Sequence, residues 1–131
     1  MFEIVPHTAD VRLRVRASSI EDLFRDAMRG MFAIMQAQAG IEVVRRRMTI
    51  DSVDRTALLV DFLSEVLSRA HIDRAIFDDV SFESLTETAI AAAVTGHGSA
   101  RFEQDIKAVT YHEADVRLAD GEWETMLVFD I

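Results

Sequence analysis

Three short stretches concentrate residue types that can do chemistry. Pro6-His7-Thr8-Ala9-Asp10 places an acid at the entry to an arginine-rich segment, and residues 106–112, Ile-Lys-Ala-Val-Thr-Tyr-His, bring Lys107, Tyr111 and His112 into one apparent strand. The sequence closes on Phe129, Asp130 and Ile131, where a side-chain carboxylate stands next to the terminal carboxylate. Unpaired carboxylates held a few ångströms apart repel, and an oxygen-seeking divalent cation relieves the repulsion. Asp10 completes such a site if the strand it opens lies beside the last one. Each residue also has a reading without chemistry: Asp10 as a turn cap, Asp130 as a frayed end, Lys107 as a solubilising charge on an edge strand, Tyr111 and His112 as packing.

Other catalytic patterns are missing. There is no phosphate-binding glycine loop and no serine set between glycines, and Gly96-His97-Gly98 is too short for a cofactor loop. The four histidines, His7, His71, His97 and His112, show no ligand-like spacing, so a zinc site could arise only by long-range convergence. With no cysteine, disulfides, thiolate-bound zinc and thiol catalysis are excluded. The 14 Lys and Arg against 23 Asp and Glu leave a formal charge of −9. Strong direct nucleic-acid binding draws on a basic surface, so this balance argues against it and favours a basic protein partner or a bound cation. No basic segment precedes a long apolar run, as a signal peptide requires, and no run reaches the length of a membrane span. A cytoplasmic protein is expected.

The elements that must position these residues fit one domain over residues 1–131, half of them apolar (50%) and without a linker or internal repeat. Residues 2–5 read as a short strand ended by Pro6. Val11, Leu13, Val15 and Ala17 alternate with Arg12, Arg14 and Arg16, a strand with one buried and one basic face. Ser18 with Glu21 and Ser19 with Asp22 are overlapping capping boxes, followed by Leu23, Phe24, Ala27, Met28, Met31, Phe32 and Met35 at helical spacing. Ile41, Val43, Met48 and Ile50 suggest a strand interrupted by a solvated turn at Arg45, Arg46 and Arg47. Asp51 or Asp54 caps a second helix carrying Leu58, Leu59, Phe62, Leu63, Val66, Leu67 and Ala70. Strands are expected at 76–85 and 89–95, an irregular loop at 96–105, and strands at 107–118 and 122–129 around Asp120-Gly121, a strong hairpin signal. Trp123 beside that turn reads as the hairpin's anchor. Strands and helices do not alternate regularly, which predicts an α+β fold: two helices packed on a mostly antiparallel (mixed) β-sheet.

Five stretches together resemble the archease family. His7-Thr8-Ala9-Asp10 matches its opening motif, and residues 19–35 and 58–65, the latter preceded by Asp54, are similar to its two helices. Residues 106–112 match its Ile-Lys-Ala-Val-Thr-Tyr-His motif, and Val128-Phe129-Asp130-Ile131 matches its C-terminus. The likeness spans the chain in order. One departure is residues 96–104, which lack the proline-containing acidic loop expected before the lysine motif. The resemblance implies an accessory protein rather than an enzyme: an activator of the GTP-dependent RNA ligase that joins 3′-phosphate and 5′-hydroxyl ends in tRNA splicing and RNA repair. It would promote guanylylation of the ligase and its multiple turnover. The resemblance assigns a metal site to Asp10, Asp130 and the main-chain oxygens of Ile131, and a functional lysine to Lys107. Asp54 and His112 are secondary candidates. The expected ion is hard: calcium in isolation, with magnesium or manganese as alternatives. Competing readings are a metal-dependent phosphoester hydrolase, with His112 as its only evident base, and a chaperone-like interaction module.

Overall fold

The computed structural model describes residues 1–6 and 10–131; the His7, Thr8 and Ala9 part of the opening motif lies outside the described residues. Twelve elements follow in order: β1 (Phe2–Pro6), β2 (Asp10–Ala17), α1 (Ile20–Ile34), β3 (Ala37–Gln38), β4 (Val43–Asp51), α2 (Arg55–Asp73), β5 (Ile76–Leu85), β6 (Ala89–His97), β7 (Arg101–Phe102), β8 (Ala108–Thr110), β9 (Arg117–Ala119) and β10 (Glu122–Asp130). The two helices and antiparallel strands are the expected α+β arrangement. The strands divide, however, among three sheets: β1-β2-β10-β8 with β9 also on β10, the pair β3-β7, and β4-β6-β5.

The alternation read from residues 11–17 becomes the β2 burial pattern. Leu13 and Val15 are fully buried opposite Leu127 and Thr125 of β10, while Arg12, Arg14 and Arg16 face away. Helix α1 starts at the Ser19 cap, whose hydroxyl accepts from the Asp22 N–H at 3.2 Å. It buries Phe24, Met28 and Met31 completely. Phe24 meets Phe62 of α2 at 5.7 Å between ring centroids, and both approach Phe82 of β5 at 6.4 and 6.5 Å. This aromatic cluster ties both helices to the three-stranded sheet, and truncating such a ring costs about 3–5 kcal/mol.

Three local expectations are corrected. Arg45, Arg46 and Arg47 do not interrupt a strand; they lie inside β4, which is continuous from Val43, while Ile41 stays outside it and exposed. The inward-facing position is tolerable because Arg46 reaches Asp73 at the end of α2, N to O 2.9 Å. Arg47, on the other face, pairs with Glu83 at 2.8 Å. The expected loop at 96–105 starts later, because β6 runs on to His97, and it contains β7. Gly96 makes this possible: a Cβ there would fall 1.7 Å from the Ile76 carbonyl oxygen of β5. The single strand expected over 107–118 is two short ones, since the chain turns after Thr110, with Glu113 at φ 62° and the Ala114 N–H on the Tyr111 carbonyl at 3.1 Å. The hairpin at Asp120 and Gly121, with φ 53° and 80°, has the doubly positive φ of a type I′ turn. Trp123 anchors it, with the Arg55 guanidinium 4.8 Å over its ring.

Candidate functional site

β2 opens on Asp10 and β10 ends on Asp130, and the β2–β10 register sets these two residues directly opposite each other. Opposed residues in antiparallel strands share a face of the sheet, with Cα atoms about 4.5–5.5 Å apart. Val11 opposite Phe129 carries the core-facing parity, so the two aspartates project from the other face. Like charges in this relation destabilise a sheet. The Asp130 end is not frayed: the Lys107 N–H donates to the Asp130 carbonyl at 2.7 Å, Ala108 stands in register with Asp130, and the Ile131 side chain packs against the core.

Among the described residues no three His, Cys, Asp or Glu side chains converge on one point. Among the described residues Asp10 and Asp130 bring two carboxylates to this end of the sheet. An all-oxygen set suits a hard divalent cation and not a soft one.

Lys107 joins this end through its backbone, while its exposed side chain lines a cavity of about 270 Å³ together with Ser64, Leu67, Ser68 and His71 of α2. The secondary candidates lie elsewhere. Asp54 caps α2, its carboxylate accepting from the Ala57 N–H at 2.8 Å. The first turn of α2 sits at the start of β10, with Arg55 on Trp123 and the Thr56 hydroxyl accepting from the Val116 N–H at 2.9 Å. Trp123 and Asp130 are seven residues apart along β10, about 23 Å at strand rise. Asp54 therefore belongs to the opposite end of the sheet. His112 is exposed past the end of β8, its N–H on the Thr110 hydroxyl at 3.3 Å.

Past the end of β8, against α2, is a network that sequence patterning missed. The Tyr111 hydroxyl donates to Asp61, whose other carboxylate oxygen accepts from Ser52 at 2.6 Å. The hydrogen bond to Asp61 raises the Tyr111 pKa above the ordinary phenol value, and desolvation and the carboxylate's charge act the same way. These residues line a cavity of about 660 Å³ that also includes Asp51, Asp54 and Asp115. Asp61 sits one residue before Phe62 on a helix whose apolar periodicity masked it.

A small α+β protein with a cross-strand acid pair at the closing end of its central sheet is the class that fold and site define. The Archease protein family matches residues 2–131, and the chain belongs to that family. It is 31% identical to a protein archease of Methanosarcina mazei, over 99% of this chain and 95% of that relative. The solution structure of Methanobacterium thermoautotrophicum protein 1598 superimposes with a TM-score of 0.73 at 25% identity, covering 99% of this chain and 98% of that one. A crystal structure of an archease from Thermotoga maritima shares the fold, with a TM-score of 0.68 at 17% identity, covering 100% and 98% of the two chains. No helix among the described residues is long and apolar enough to cross a membrane.

Proposed function

We propose that this archease activates a GTP-dependent RNA ligase without turnover of its own, acting through the Asp10–Asp130 end of its central sheet. The observation that carries this reading is the direct cross-strand opposition of Asp10 and Asp130, the two acids that the family resemblance assigns to its metal site. Asp10, Asp130 and a main-chain oxygen of Ile131 would hold a calcium, magnesium or manganese ion. Such an ion neutralises phosphate charge during nucleotidyl transfer. The chain's own part is positional. β2 and β10 present the carboxylates on one face of the sheet, and the Lys107 N–H donates to the Asp130 carbonyl beside them. The net charge of −9 favours docking on the basic surface of a phosphate-handling partner.

Single-turnover guanylylation of the cognate ligase tests the proposal. The wild-type chain is expected to accelerate it, and Asp10→Asn and Asp130→Asn to lose most of that acceleration. Equal stimulation by all three would remove the carboxylates from the mechanism. The Thermotoga maritima relative is described as a possible chaperone; for this chain that role would appear as suppressed aggregation of unrelated proteins, independent of metal and of Asp130. Phosphoester turnover by the chain alone with manganese would instead favour a hydrolase.

A further inference from the structure

Most strong cations of this acidic protein are matched with carboxylates. Arg12 pairs with Glu113, Arg14 with Glu3, Arg16 with Glu122 and Glu124, and Arg25 with Asp22 and Asp79. Arg29, Arg46, Arg47, Arg55, Arg69 and Arg117 have partners too. Among the described residues Arg45, Arg74, Arg101 and Lys107 form no ion pair, and three of these four meet at one place. Arg74 and Arg101 line a cavity of about 330 Å³ with His71 and Phe102. Lys107, the only lysine in the sequence, lines the neighbouring cavity of about 270 Å³, and His71 is common to both.

The helix dipole accounts for part of this cluster. His71 lies in the last turn of α2 and Arg74 is its left-handed C-cap, where positive charge is favourable. It does not account for Arg101 and Lys107, which arrive from β7 and from the segment before β8. Nor does the abundant acid of the surface neutralise them; Asp105 approaches only His71, at 3.1 Å from Nε2. Four exposed donors of positive or titratable type therefore face solvent together, with the Ser64 and Ser68 hydroxyls beside them on α2.

We infer that the surface formed by His71, Arg74, Arg101 and Lys107 binds the phosphodiester backbone of a short single-stranded nucleic-acid segment. Guanidinium forks, an ammonium and hydroxyls are the donor set that phosphate oxygens accept from. Two small adjoining cavities suit successive phosphates. The overall negative charge repels a long duplex, so the contact is local, strongly salt-dependent and weak in the isolated chain. The site shares Lys107 with the ligase reading but does not depend on it, since it is measured without a ligase.

The test is fluorescence anisotropy of a labelled oligouridylate titrated with the full chain from low to physiological salt, beside a labelled oligoglutamate of similar charge. The double variant Arg74→Asn with Arg101→Gln, whose Asn is compatible with the left-handed cap, is expected to bind RNA roughly tenfold more weakly at low salt. Its log–log salt slope should shrink by about 1.4, near 0.7 for each cation removed. Arg45→Gln, the unpaired cation elsewhere, should leave affinity and slope unchanged, and melting curves confirm that each variant is folded. The inference is overturned if the wild type shows no salt-dependent RNA binding, if Arg45→Gln loses as much as the double variant, or if oligoglutamate binds as tightly as RNA. That last result would assign the surface to an acidic protein segment.

Discussion

Asp130, the last residue of β10, stands directly across the ladder from Asp10, the first residue of β2. The register that buries Leu13 against Leu127 and Val11 against Phe129 leaves no choice about this juxtaposition. Sliding either strand by one residue would turn its apolar set to solvent. Core packing thus sets the two aspartates across from each other on one face of the sheet.

The pair should reverse its effect on stability with metal. In chelator, Asp130→Asn is expected to melt no lower than wild type and up to about 0.5 kcal/mol higher in stability, because a cross-strand repulsion is removed. With calcium at about 100 times its dissociation constant, wild type should gain roughly 2.7 kcal/mol, and the variant little. Thermal melts with and without calcium check both halves. A variant that is destabilised in chelator yet keeps the calcium shift would contradict the assignment.

Asp54 should behave as a cap. Asp54→Ala is expected to lose about 1 kcal/mol, and Asp54→Ser to recover most of it, because the hydroxyl can also accept from the Ala57 N–H. Calcium shifts of both variants should match wild type. Denaturant unfolding separates this outcome from a direct functional role.

Tyr111 makes stability depend on pH at the alkaline end. Its folded pKa is raised by the hydrogen bond to Asp61, so the contribution is fully present below the unfolded phenol value, about 10. It is lost as pH rises through the higher folded value. Tyr111→Phe should cost up to about 1 kcal/mol at pH 7, modest because the residue is 58% exposed. The two unfolding curves should converge in strong alkali. A constant difference across that range would mean that the lost interaction is not the phenol's proton.

Gly96→Ala should be among the most damaging single changes in the chain. The new methyl would meet backbone atoms of Ile76 and Phe77 and not a flexible side chain, so β5 and β6 must separate at that point. Loss of cooperative melting, or a destabilisation above about 4 kcal/mol, is the expected calorimetric result. Gly121→Ala, with nothing near its Cβ but a φ of 80°, should cost only about 1 kcal/mol.

Local physics made much of this protein readable in one dimension. The alternation over residues 11–17, the Ser19 cap, the helical spacing of Phe24, Met28 and Met31, and the Asp120-Gly121 turn each depend on neighbours a few residues away, and each reappears in the fold. The archease motifs likewise lie in short stretches. What sequence could not reach depended on residues far apart in the chain. Arg46 lies within a strand because Asp73, on another element, meets its charge. Tyr111 leaves the sheet for Asp61, 50 residues away. Asp54 lies at the other end of the sheet from Asp130 because the first turn of α2 packs at Trp123, where β10 begins. The free cations around His71 come from three separate segments, and only the packing of α2 against them makes one surface. Side-chain periodicity encodes which face is buried; which distant charges then meet is decided by the register and crossing of whole elements.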